Sequence, residues 1–158
     1  MRRLKKRETA GVSLSVSRIG GGEKVNVIAE DAWAQLDVRF WTVRQRDQLL
    51  ASLKDSRAVR SGAKVKFAVE SRTPPMEKTK ASTQLFQRAR TIAATLGIDL
   101  AEGRTGGGSD ASIASSFGVP TLDGLGPDGD GIHAANEHVL LPSFVQRAVL
   151  LTELLRQL

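Results

Sequence analysis

The chain has 158 residues, 41% of them hydrophobic and 25% charged, the composition of a folded domain with one core's worth of apolar side chains. The absence of cysteine excludes disulfide scaffolds, thiolate metal sites and cysteine nucleophiles together, so metal or base chemistry must run through His133, His138 and carboxylates. The net charge of +6 is largely terminal, with Arg2, Arg3, Lys5, Lys6 and Arg7 against Glu8, and the chain has only five Phe, two Trp and no Tyr to stack on bases, so no nucleic-acid partner is expected.

In chain order, Val12, Leu14 and Val16 alternate with Ser13, Ser15 and Ser17, which predicts a half-buried strand ended by Gly20-Gly21-Gly22. A second extended stretch is expected from Val25 to Ile28. A longer strand follows, with Ala34, Leu36, Val38 and Phe40 on one face and Trp33, Gln35, Asp37, Arg39 and Trp41 on the other. The second face is either a binding surface or an edge pair against charged neighbours. A short helix over Val43, Leu49, Leu50 and Leu53 precedes a strand that turns Val65, Phe67 and Val69 inward.

Pro74-Pro75 is the best boundary, dividing 1–74 from 75–158, and helix–strand alternation takes over after it. Leu85, Ala89, Ile92 and Leu96 repeat at helical spacing, with Gly97 as the stop. Short strands are expected at Ile98–Glu102 and Val119–Leu125, separated by a helix that Ser109 caps and Gly118 ends. The last helix opens on Pro142-Ser143 with Gln146 in capping-box spacing. Its apolar side is read as Phe144, Ala148, Leu151, Leu155 and Leu158, with Val145 and Val149 beside it. No apolar run reaches the roughly 18 residues of a membrane span, and Glu8-Thr9-Ala10-Gly11 stands where a signal core would be. No membrane partner and no signal peptide are expected, with cytoplasm the default location.

Two glycine-rich loops, Gly103–Gly108 and Gly124–Gly131, each follow an expected strand, the position at which α/β sheets bind ligands. Gly124–Gly129 fits a dinucleotide glycine pattern only formally, since Pro127 interrupts it and no helix follows directly. Asp128-Gly129-Asp130 begins like a calcium loop, but Ile132 occupies a ligand position. The Gly106-Gly107-Gly108-Ser109-Asp110 turn has three readings. Its N–H groups cradle an anion; Ser109 is a nucleophile with His133 as base and Asp123 or Asp128 as orienter; or Ser109 simply caps a helix. His133, between a glycine turn and Asn136-Glu137, is equally a ligand or base and a hydrogen-bonded structural residue.

Six segments in one order now carry a resemblance: Val25–Ile28, Leu36–Arg39, Thr73–Glu77, Gly106–Asp110, Gly118–Gly126 and His133–Glu137. Together they resemble the two-zinc aminoacylase/carboxypeptidase family, nearest its glutamate carboxypeptidase branch. The resemblance implies an α/β fold, with the second half of a ferredoxin-like lid and dimerisation domain at 1–74 and the C-terminal part of a zinc-exopeptidase domain at 75–158. It implies hydrolysis of an amide bond beside a C-terminal glutamate or related amino acid, with a small peptide or acyl-amino acid as substrate. A homodimer through the lid is implied too. His133 matches the family's last zinc ligand. Asn26 and Arg39 match lid residues that reach the substrate carboxylate or oxyanion, Gly106, Gly107 and Gly108 line the substrate pocket, and Glu137 has a structural hydrogen-bonding role.

The departures weigh as much as the matches. The family's other histidine ligand, its bridging aspartate, its remaining carboxylate ligands and its general-base glutamate have no counterpart here, and Met1–Glu8 resembles the tail of a lid helix. Thr73 stands where an arginine usually precedes Pro-Pro-Met-Glu; Arg72, one position earlier, is the candidate substitute, though one step along an extended segment changes face. Ala29 replaces a usual proline. The expectation is therefore a zinc hydrolase portion with no catalytic residue of its own and at most one weak metal ligand. The alternatives are a dimerisation or interaction module, and a serine hydrolase built on Ser109.

Overall fold

The computed structural model describes residues 11–58, 61–70 and 72–157, so the expected helix tail at Met1–Glu8 and the side chain of Leu158 lie outside the described residues. The fold is mixed α/β in two compact units. The first comprises Met1–Glu77 with Gly106–Gly108, the second Lys78–Thr105 with Ser109–Leu158.

In the first unit β1 (Val12–Gly21) pairs antiparallel with β2 (Ala32–Phe40). Val12 opposes Phe40, Leu14 opposes Val38 and Val16 opposes Leu36, so the alternation seen in the sequence becomes one apolar face. The register then shifts between Val16 and Arg18. This bulge at Ser17 changes the phase of β1: Ile19 joins the apolar face opposite Ala34, and Arg18 joins the polar face opposite Gln35. There its guanidinium lies 5.6 Å from the centroid of the Trp33 ring.

Helix α1 (Val43–Lys54) closes the apolar face. Thr42 and Gln45 form a capping box, the Thr42 hydroxyl accepting from the Gln45 N–H at 3.1 Å and the Gln45 side-chain Oε1 accepting from the Thr42 N–H. Leu49 and Leu53, four apart on one side of α1, pack with Val12, Leu14, Val38 and Phe40. Two expected strands of this unit are corrected. Residues 25–28 form an exposed turn in the loop between β1 and β2, because the register carries the ribbon only to Gly21 and Ala32. Val65, Phe67 and Val69 lie in a segment without regular secondary structure, join no ladder among the described residues and stay 42–46% exposed. Period-two spacing specifies an extended segment; a strand also needs a neighbour for its N–H and C=O groups.

In the second unit α2 (Lys80–Thr95) starts from a capping box between Thr79 and Ser82, and α3 (Asp110–Ser116) from Ser109. A two-residue ladder joins β3 (Gly129–Asp130) to β4 (His138–Val139), and α4 runs over Leu141–Gln157. Ala89, Ile92 and Ala93 of α2 meet Leu150 and Leu154 of α4 around Leu100. Ile98–Glu102 and Val119–Leu125 likewise form no ladder strand among the described residues, yet Leu100, Leu122 and Leu125 still deliver their side chains to this helix pair.

The expected apolar side of α4 is overturned. The buried side is Ser143, Leu150 and Leu154, whereas Phe144, Val145, Val149 and Leu155 are exposed. The capping box at Ser143 is absent as well. Ser143 lies inside the first turn, donating to the Leu140 carbonyl at 2.6 Å and accepting from the Asp128 N–H at 2.8 Å. No helix among the described residues is long and apolar enough to cross a membrane.

Candidate functional site

The first unit brings some of the candidate residues together. Arg39 near the end of β2 extends from the polar face of the ribbon, and its Nε donates to Asp37 Oδ2 at 2.9 Å. That engages one of five donors in a guanidinium fork suited to a carboxylate. Gly106 lies directly against this side chain: a Cβ there would stand 3.3 Å from Arg39 Cδ, so glycine lets the backbone approach the stem of the arginine. Gly108 packs in the same way on Thr73, with a Cβ placed 3.6 Å from its methyl carbon. The arginine and the glycine turn therefore form one exposed polar patch with Thr73.

Asn26 is not part of that patch. It sits in the turn beyond Gly21 and Ala32, while Arg39 opposes Ser13 near the other end of the ribbon. Seven residues of strand at ~3.3 Å each put roughly 23 Å between the two ends. Within one chain they do not hold the same small carboxylate. Arg72 is exposed.

Sequence reasoning assigned no role to Glu77 of the Thr73–Glu77 segment. Its Oε1 accepts from the Val43 N–H at 2.7 Å, supplying α1 with an acidic partner for a first-turn donor. A glutamate two residues after Pro-Pro, 34 positions from the helix it serves, leaves no local signal of that bond.

In the second unit His133 occupies the tip of the β3–β4 hairpin, exposed, with φ +67°, and among the described residues it is the non-glycine residue in the left-handed region. Its surroundings impose that conformation. Gly131 turns at φ +74°, Ala134 N–H donates to the Gly131 carbonyl at 2.8 Å, Glu137 N–H donates to the Ala134 carbonyl at 3.1 Å, and Glu137 Oε2 accepts from the His133 N–H at 3.3 Å. Glu137 thus has the backbone-holding role expected of it. His138 directs Nδ1 to the Asn136 carbonyl at 2.9 Å.

The serine-nucleophile constellation does not assemble. Ser109 Oγ accepts from the Ala111 N–H at 3.1 Å as a helix cap, Asp123 binds the Gly124 N–H, and Asp128 binds Arg147. No hydrogen bond links Ser109, His133 and either aspartate in the orienting chain that such chemistry requires.

Against known proteins, the model of peptidase family M20/M25/M40 matches residues 5–157. The chain belongs to this family. It is 28% identical over 144 residues to carboxypeptidase G2 of Pseudomonas sp. (strain RS-16), which covers 87% of this chain and 34% of that protein. It is 22% identical over 146 residues to the uncharacterized protein YqjE of Bacillus subtilis (strain 168), 90% of this chain and 39% of that one. The fold is similar to that of aminopeptidase PepT from Bacillus cereus ATCC 10987, with a TM-score of 0.74 and 20% identity over 92% of this chain and 39% of that structure. The M20 chain therefore spans between a third and two fifths of the length of these relatives.

M20 peptidases are generally metal-dependent. Among the described residues, no three His, Cys, Asp or Glu side chains come together as donors, and the Glu137 carboxylate in the His133 loop accepts from the His133 backbone N–H. A stable site for a hydrolytic metal needs about three protein ligands. The described residues of this chain do not fit such a site by themselves.

Proposed function

We propose that this chain carries the last zinc-donor position and the substrate-carboxylate position of an M20 carboxypeptidase or related amidohydrolase that cleaves beside a C-terminal glutamate or similar residue. In this reading 1–74 is the second half of a ferredoxin-like lid and dimerisation domain, and 75–158 is the C-terminal part of the catalytic domain. His133 is the donor, and Arg39 with Gly106, Gly107 and Gly108 receives the carboxylate. Asn26 serves the site reached by the partner protomer, because it lies too far from Arg39 in its own. The chain alone does not turn over substrate, since in this reading one imidazole is what its described residues contribute to a metal centre.

The observation that carries this reading is the backbone of His133. A left-handed conformation costs a non-glycine residue roughly 1–2 kcal/mol, and such strain persists where the surroundings over-determine it, typically at functional positions. The likeness to carboxypeptidase G2 supports the substrate class.

Titration of the 15N-labelled chain with an N-acyl-glutamate tests the carboxylate site. Saturable shifts confined to Arg39 and Gly106–Gly108, lost in Arg39→Met and absent with the acyl amino-acid amide, are expected. Shifts that survive Arg39→Met would remove the assignment. Light scattering across concentration tests the lid pairing, for which a homodimer that persists without zinc is the expected result.

A further inference from the structure

The hairpin carrying His133 has two residues per strand, all exposed, and such a ribbon has little stability of its own. Its base is tied to the start of α4. Leu140 N–H donates to the Asp128 carbonyl at 2.7 Å, Asp128 N–H donates to Ser143 Oγ at 2.8 Å, and the same hydroxyl donates to the Leu140 carbonyl. One turn further along α4, Arg147 Nη2 donates to Asp128 Oδ1 at 2.8 Å.

That last bond is costly. The Arg147 side chain is only 16% exposed, and its Nη1 is buried without a hydrogen-bond partner among the described residues. A buried guanidinium with an unmet donor opposes folding more than an ion pair to a 56% exposed carboxylate offsets it, and an apolar side chain of the same reach would serve the helix better. What the arginine accomplishes is to fix Asp128, and Asp128 is the hinge from which the hairpin projects. Three extended residues from Asp128 to Gly131 make an arm of about 10 Å, so a tilt of about 10° at the base moves the tip by about 2 Å. Displacements of that size are enough to dismantle a functional arrangement.

We propose that Arg147 is a positioning residue: by holding the Asp128 carboxylate it sets the angle of the hairpin and so the place of His133. The inference rests on the reading of His133 given above.

The test compares Arg147→Met, Arg147→Lys, Asp128→Asn and the Arg147→Met/Asp128→Asn pair in the intact chain. Two quantities are read by NMR: the backbone and ring signals of His133, and amide exchange at Leu140, with Ala89 and Ile92 in the core as controls. Arg147→Met and Asp128→Asn are each expected to move the His133 signals and to speed Leu140 exchange about tenfold, with the core amides unchanged. The pair should be no worse than either single change, and Arg147→Lys should retain most of the effect. Unmoved His133 signals would overturn the proposal, as would parallel loss of protection at Ala89 and Ile92, which marks a general brace. Should Arg147→Met fail to fold, Asp128→Asn at its exposed position carries the same expectation. Neither readout involves metal or substrate, so failure here leaves the donor role of His133 standing, and failure of that role leaves the clamp measurable.

Discussion

Replacing Leu150 by alanine should be among the most damaging single truncations in the second unit, and replacing Leu155 one of the mildest, although both are leucines on the same helix. Leu150 is the largest fully buried side chain among the described residues, enclosed by Ala89, Ile92, Ala93, Leu100 and Leu154. Leucine to alanine removes three carbons' worth of burial, about 2.4 kcal/mol at ~0.8 kcal/mol for each buried methylene. A residual cavity raises this to about 3–5 kcal/mol, because the alanines opposite are too small to collapse into it. Leu155 is 77% exposed, so the same deletion removes about a quarter of that transfer energy, near 0.6 kcal/mol, and alanine's better helix propensity offsets part of it. Urea unfolding followed by far-UV circular dichroism measures both. Equal destabilisation by the two variants would refute the burial pattern of α4 and restore the face read from the sequence.

Three further outcomes are expected. Gly131→Ala should destabilise by about 1–2 kcal/mol and displace the His133 signals, since the residue turns at φ +74° and a Cβ would sit 2.9 Å from the Asn136 carbonyl oxygen; unchanged stability and spectra would contradict the turn. Glu77→Ala should cost about 1 kcal/mol in denaturant unfolding by stripping α1 of an acidic first-turn partner, and Glu77→Gln should cost less because it keeps an acceptor; identical costs would argue against the bond to Val43. His133→Gly should raise stability by about 0.5–1 kcal/mol, because glycine adopts φ +67° without strain; a loss of stability would show that the imidazole is there for packing.

The alternating Val-Ser run of β1, the cap at Ser109 and the stop at Gly97 were legible because each depends on residues within a few positions. The bulge at Ser17 also left a mark, in the break of phase from Val16 to Ile19, which a strand reading limited to the first five residues passes over. α4 misled for a physical reason. It carries two apolar stripes, and the one that is buried contains Ser143 and Arg147, whose polar ends are used in holding Asp128. The segments at 65–69, 98–102 and 119–125, read as strands but without a ladder among the described residues, show the limit of periodicity, which says nothing of whether a hydrogen-bonding neighbour is at hand. For the candidate site, the motif order pointed to His133, Arg39 and the glycine turn. The left-handed backbone of His133, the helix-capping bond of Glu77 and the buried Arg147 depend on residues brought together only by folding.

The most direct test of the account is hydrolysis of an N-acyl-glutamate by this chain with added zinc, compared with His133→Ala under the same conditions. The account predicts no turnover by either protein above the zinc-only background. Turnover by the chain that disappears in His133→Ala would contradict it and establish a self-sufficient site.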